Sequence, residues 1–181
     1  MKILILGIGN ILFGDEGVSP HLANLIDEKY AFDSSEHTVY VMDGGTLAQR
    51  LIPLITDYEH VLLIDCVNVM DGAVGDVYSF DFTDVPDFIT WNGSAHEVEM
   101  LQTLQMIEML GDLPPTKIVG VIPYVIGENS TFTMTPEVLK ASLTMEDTII
   151  KYIESFGVKS SIKNNTTIEK VSKYTYLKGT Q

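Results

Sequence analysis

The segment Lys2–Gly17, KILILGIGNILFGDEG, decides the fold. An unbroken apolar run, Ile3–Leu6, meets the glycine turn Gly7-Ile8-Gly9-Asn10. The acidic pair Asp15-Glu16 and Gly17 follow, and a helix-like pattern then begins. A short buried strand feeding a glycine turn and a helix is how parallel α/β proteins hold a loop above the edge of a sheet. The loop in this case ends in two carboxylates, and the reading of function turns on what Glu16 is for.

The remaining chain repeats this rhythm. Leu22, Leu25 and Ile26 mark a helix reaching about Tyr30, with Pro20 in its first turn. The β-rich run His37–Met42 stops at Asp43-Gly44-Gly45-Thr46, and Leu47–Ile55 has helical spacing. A further strand, Val61–Ile64, stops at Asp65. Val77–Phe80 alternates between glycine turns, as a sheet-edge or meander strand does. Val98, Leu101, Leu104, Ile107 and Leu110 predict a helix over about 95–110, with Ser94 as N-cap. Lys117–Ile122 is another buried strand. Thr135-Pro136 then opens a long amphipathic helix to about Phe156, closed by Gly157. Alternating strands and helices predict one α/β domain over 1–157, a three-layer sandwich with a mostly parallel sheet and helices on both faces. Residues 158–181 read as a polar, lysine-rich C-terminal extension with a short element at 167–177.

Composition narrows the functional classes. The chain of 181 residues has a formal net charge of -14 and one cysteine, Cys66. Six of its lysines lie after position 150, so the preceding body is still more acidic. An acidic body repels phosphate backbones, which argues against a nucleic-acid partner. The single cysteine excludes an internal disulfide and fits a reducing cytoplasm. The apolar start is too short for a membrane span and lacks the design of a signal peptide.

In a parallel sheet, ligands collect beyond the carboxyl ends of the strands. Glu16, Asp43 and Asp65 fall at such ends, and His96 falls at the start of a helix. A nucleotide reading would make Gly7-x-Gly9 a phosphate turn with Asp43 on the ribose. Leu12 stands where the third glycine belongs, and Asp43 lies beyond the usual distance of about 20 residues. Asp15 and Glu16 would also oppose a pyrophosphate at the helix N-terminus. A metal reading fits better: Glu16, Asp65 and His96 offer two oxygens and one imidazole nitrogen and leave coordination positions open. Cys66 alternates away from Asp65 and reads as a small buried residue rather than a nucleophile. His21, His37 and His60 read as structural or exposed. Asp43 beside two glycines is either a bare turn or a base next to a closely approaching peptide.

With GIGNILFGDEGV (7–18), DGGT (43–46), Asp65, SAHE (94–97) and GVIP (120–123) in this order, the chain resembles the hydrogenase maturation proteases over about residues 1–157. The resemblance implies a twisted, mainly parallel five-stranded sheet. It also implies metal-contacting roles for Glu16, Asp65 and His96, and matches Asp43 to the aspartate of the family's glycine loop. The implied reaction is hydrolysis of one peptide bond near the C-terminus of a nickel–iron hydrogenase large-subunit precursor. Nickel carried by that precursor is the implied recognition element, and another divalent ion could stand in for it in the isolated protein. Whether the metal assists the chemistry or only anchors the substrate, with Asp43 as base in aspartic-type hydrolysis, is left open. A non-catalytic nickel-binding assembly factor would use the same residues. A monomer is expected, because a large protein substrate needs the free surface. The chain departs from the family pattern at Ser19-Pro20, Ala48, Cys66 and Ile122, none of them a proposed ligand.

Overall fold

The computed structural model describes residues 1–46, 48–90, 95–124 and 132–178. Among these residues a five-stranded sheet is built from β1 (Lys2–Ile8), β3 (Thr38–Gly45), β4 (His60–Cys66), β8 (Thr116–Val121) and β6 (Val77–Asp81). Its spatial order is β3-β1-β4-β8-β6. The first four strands run parallel, and β6 closes the edge antiparallel to β8. This bears out the expected edge strand and the mostly parallel sheet.

Continuous apolar sequence makes β1 and β4 interior strands, because helices cover both of their faces. Ile3, Ile5, Leu62 and Ile64 pack into one core layer with α1 (Val18–Lys29) and α4 (Pro136–Glu154). Leu4, Leu6, Ile8, Val61 and Leu63 pack into the other with α3 (Ala95–Leu110) and the short α2 (Ile52–Thr56). The helix α4 starts as expected, with Pro136 in its first turn and the Thr135 hydroxyl accepting from the Val138 N–H at 3.4 Å. The N-cap expected at Ser94 lies outside the described residues. A partly buried ion pair lies at the edge of the first layer: Lys29 Nζ is 2.6 Å from Glu146 Oε1, which also accepts from the Tyr30 hydroxyl at 2.6 Å. Burial, and then that hydrogen bond, pushes the Tyr30 hydroxyl above its ordinary range.

The lysine-rich tail carries the short element expected at 167–177, as a helix, but it is packed onto the domain rather than extended from it. After Val158 it forms β9 (Lys159–Ile162), antiparallel to β2 (Tyr30–Asp33), and then α5 (Ile168–Lys178). Val158, Ile168 and Val171 are buried in the same layer as α1. A helix leaves its last carbonyls without partners in its own backbone, and the tail supplies them. Lys163 Nζ donates to the Asp27 carbonyl at 2.7 Å, Asn164 Nδ2 to Glu28 at 2.9 Å, and the Lys163 N–H to Lys29 at 2.7 Å. A cation at this position also meets the negative end of the helix dipole. The tail therefore terminates α1. Lys163→Ala or Asn164→Ala is expected to cost about 0.5–1 kcal/mol, read by urea denaturation. Deletion from residue 158 onward should remove most of the cooperative transition, and an unchanged midpoint would contradict this packing.

Candidate functional site

The site lies at the carboxyl edge of β3, β1 and β4. Register places Asp43 beside Gly7, with Ile64 on the other side of Gly7, so Asp65 begins one residue further along that edge. At ordinary strand spacing the backbones at Asp43 and Asp65 are roughly 10 Å apart, with β1 between them.

The loop leaving β1 reaches this edge by folding onto its own glycines. Gly14–Gly17 is a 3-10 turn, with the Glu16 N–H donating to the Phe13 carbonyl at 3.1 Å. A Cβ on Gly9 would lie 2.0 Å from the Glu16 carbonyl oxygen. The chain thus occupies the space against Gly9 where a phosphate would have to sit, and the glycine turn serves close backbone approach instead. Glu16 emerges half-buried from this turn.

Asp65 is 2% exposed, and its Oδ1 accepts from the Cys66 N–H at 2.8 Å. By strand alternation it follows Leu63 toward the α3 layer, while Cys66 joins the α1 and α4 layer. Cys66 is buried, as expected, and its Sγ lies 3.8 Å from the Asp15 carbonyl oxygen. His96 stands in the first turn of α3, on the layer that Asp65 faces; its side chain lies outside the described residues. Among the described residues no group of three His, Cys, Asp or Glu side chains is arranged to hold a metal ion. The pair that can be followed, Glu16 and Asp65, comes from adjoining strand ends tied together through Asp15 and Cys66.

Asp43 belongs to the opposite layer. Its Oδ1 accepts from the Gly45 N–H at 2.9 Å and its Oδ2 from Asn24 Nδ2 at 3.1 Å. The Gly45 carbonyl accepts from the Gly9 N–H at 3.0 Å, which joins the two glycine loops. Asp43 remains exposed and borders a groove of about 510 Å³ walled by Ile11, Asn24 and Asp27 on one side and Tyr174 of α5 on the other. Large apolar side chains rim the same edge: Leu12, Phe13, Met70, Tyr124 and Phe132 are all exposed.

Two contributions escaped sequence reasoning, those of Asn24 and Asp15, while His21, read as structural or exposed, is structural. Asn24 holds Asp43 in place and also donates to the Pro20 carbonyl at 3.0 Å; its only signal is its place one turn after Pro20. Asp15, next to Glu16, is fully buried and accepts from the Tyr124 N–H, the Thr135 N–H and the Thr135 hydroxyl. His21 is fully buried at the start of α1. His60 is structural, with Nε2 and the Tyr152 hydroxyl 2.8 Å apart.

A doubly covered, mostly parallel sheet of this kind is found in solved structures. The structure titled hydrogenase maturating endopeptidase HybD, from Escherichia coli, superposes with a TM-score of 0.77 at 24% identity, over 90% of this chain and 98% of that one. That likeness carries the fold. The family follows from sequence: the model for hydrogenase maturation protease matches residues 20–152. Protein HydD of Wolinella succinogenes is 52% identical over 156 residues, covering 86% of this chain and 98% of its own. The Escherichia coli hydrogenase 2 maturation protease is 27% identical over 140 residues, covering 77% and 84%. The chain belongs to the hydrogenase maturation protease family.

Burial pushes the His21 imidazole down to about 4, the charge of Asp43 opposing this only in part. In the unfolded chain the group titrates near its ordinary 6.5. Between these values the unfolded state binds more protons, so stability falls with falling pH. The contribution of neutral His21 is whole above about pH 6.5 and lost by about pH 4. Thermal midpoints should fall across that window and fall less steeply in His21→Gln. His60, also depressed by burial, accounts for a remaining slope. Identical slopes in wild type and variant would contradict the assignment.

Proposed function

We propose that this protein is the endopeptidase that removes a C-terminal peptide from the nickel-loaded precursor of a nickel–iron hydrogenase large subunit. The observation that carries this reading is that the loop bearing Glu16 leaves β1 beside the end of β4, where Asp65 turns toward the layer of α3, whose first turn holds His96, in a chain of the maturation protease family. A half-buried and a buried carboxylate on neighbouring segments make an electronegative corner. Such a corner suits a cation brought in by the substrate, with the His96 imidazole as a third donor.

Engagement of the substrate's nickel would fix its extension across the strand ends. The extension would run toward Asp43 and the groove beside it, about two strand spacings away. Hydrolysis then needs a water to lose a proton as it attacks the scissile carbonyl. Asp43 is exposed and held in place by Gly45 and Asn24, which supports it as that base. In the metal-assisted version the polarised carbonyl lies at the Glu16–Asp65–His96 corner, and Asp43 positions the peptide.

The exposed apolar rim supports a protein rather than a small molecule as substrate. That rim is available in a monomer, the state in which we propose the protein works. No helix among the described residues is long and apolar enough to cross a membrane. The one cysteine is buried and unbridged. Both facts accord with processing in the cytoplasm.

Incubation with nickel-loaded precursor, followed by mass spectrometry, should show loss of a C-terminal peptide. Glu16→Gln, Asp65→Asn and His96→Ala should each slow cleavage on the order of 100-fold or more. Wild-type rates in Glu16→Gln and His96→Ala would remove the metal corner from the site. An unchanged rate in Asp43→Asn would remove Asp43 as base. Stable association without any change of precursor mass would favour a non-catalytic assembly factor.

A further inference from the structure

We infer that Asp15 is the positioning residue of this site: its buried carboxylate clamps the Gly14–Gly17 turn to the ends of β8 and α4, and so sets where Glu16 stands relative to Asp65. The inference rests on the reading of Glu16 as a substrate-engaging group.

Asp15 is 0% exposed. Its Oδ1 accepts from the Thr135 N–H at 2.6 Å, and its Oδ2 accepts from the Thr135 hydroxyl at 2.8 Å and the Tyr124 N–H at 3.0 Å. Hydrogen bonds to an ionised acceptor are the strong ones, and three on one side chain fix its orientation. Thr135 is the N-cap of α4, and Tyr124 lies just past β8. One side chain therefore holds the first loop to two elements more than a hundred residues away.

The consequence for Glu16 is geometric. In a 3-10 turn successive side chains diverge by about 120°, so locking Asp15 inward directs Glu16 away from the clamp, to its half-buried place at the sheet edge. The Asp15 carbonyl meanwhile faces the Cys66 thiol at 3.8 Å, and Cys66 directly follows Asp65. Asp15 thus touches two of the three segments that carry the proposed donors without standing among them. The acidic pair in the loop is divided in labour, one carboxylate anchoring and the other engaging substrate.

A double-mutant cycle on precursor cleavage tests this. Asp15→Asn puts an amide N–H₂ against a backbone or hydroxyl donor and breaks at least one bond of the clamp. It should lower kcat roughly 100-fold with KM changed less than threefold. In a Glu16→Gln background the same change should lower kcat less than threefold further, since there is then no carboxylate left to place. Amide exchange at Tyr124 and Thr135 should quicken in both backgrounds, reporting that the clamp has opened. Equal losses in the two backgrounds, or a folded Asp15→Asn with wild-type kcat, would overturn the inference. If Asp15→Asn fails to fold, Thr135→Val, which removes the hydroxyl that donates to Asp15 together with the α4 cap it provides, should lower kcat about tenfold with the same dependence on Glu16. A wild-type kcat in Thr135→Val, or an equal loss with and without Glu16, would likewise overturn it. Full processing by Glu16→Gln alone would instead strike the site assignment beneath it.

Discussion

The structure depends on one constraint above others: β1 must be buried on both faces. Its apolar run has no side to offer to water, so helices must cover both sides of the sheet, as they do around parallel interior strands. With β1 between β3 and β4, the carboxyl ends of three strands emerge side by side. The loop leaving β1 is then forced over its own glycines, and this brings a carboxylate to the edge where the chemistry is proposed.

From this geometry follows a site divided by the sheet. Asp65 faces the α3 layer, whereas Asp43 is held by Asn24 in the α1 layer. An extended peptide lying across the edge would span both, which suits a protease better than a compact cofactor pocket. Fully buried Asp15 and neutral His21 lie beneath the edge and stiffen the supports of groups that must stay accessible. The acidic character of the chain is thus partly structural, and Asp15 is its clearest case.

Much of this was legible in order along the chain. The strand and helix alternation, the edge placement of Val77–Phe80, the α3 boundaries and the Thr135-Pro136 helix start rest on local pattern and capping chemistry. Those signals act within one or two turns. That Asp43 and Asp65 stand at one edge of the sheet, with the loop of Glu16 between them, was legible because parallel sheets place strand ends together. The packing of the tail was not. Its lysine and asparagine side chains find their role in capping carbonyls of α1, more than 130 residues earlier, and no periodicity in the tail encodes that partner. β2, β9 and the two-residue strands β5 (Asn68–Val69) and β7 (Ile89–Thr90) escaped for the same reason: short pairings carry little pattern of their own.

By itself the sequence determined the fold class and the acidic residues that end the strands, because these follow from hydrophobic period and local backbone chemistry. Only the tertiary structure decided that Asp15 is a buried anchor. Asp15 and Glu16 are adjacent and chemically alike. The donors that make one of them a buried anchor, Tyr124 and Thr135, reach it through long-range packing that no local pattern records. The same holds for His21, whose neutrality is set by burial, and for the tail, whose polar side chains become structural only where the end of α1 presents its unpaired carbonyls.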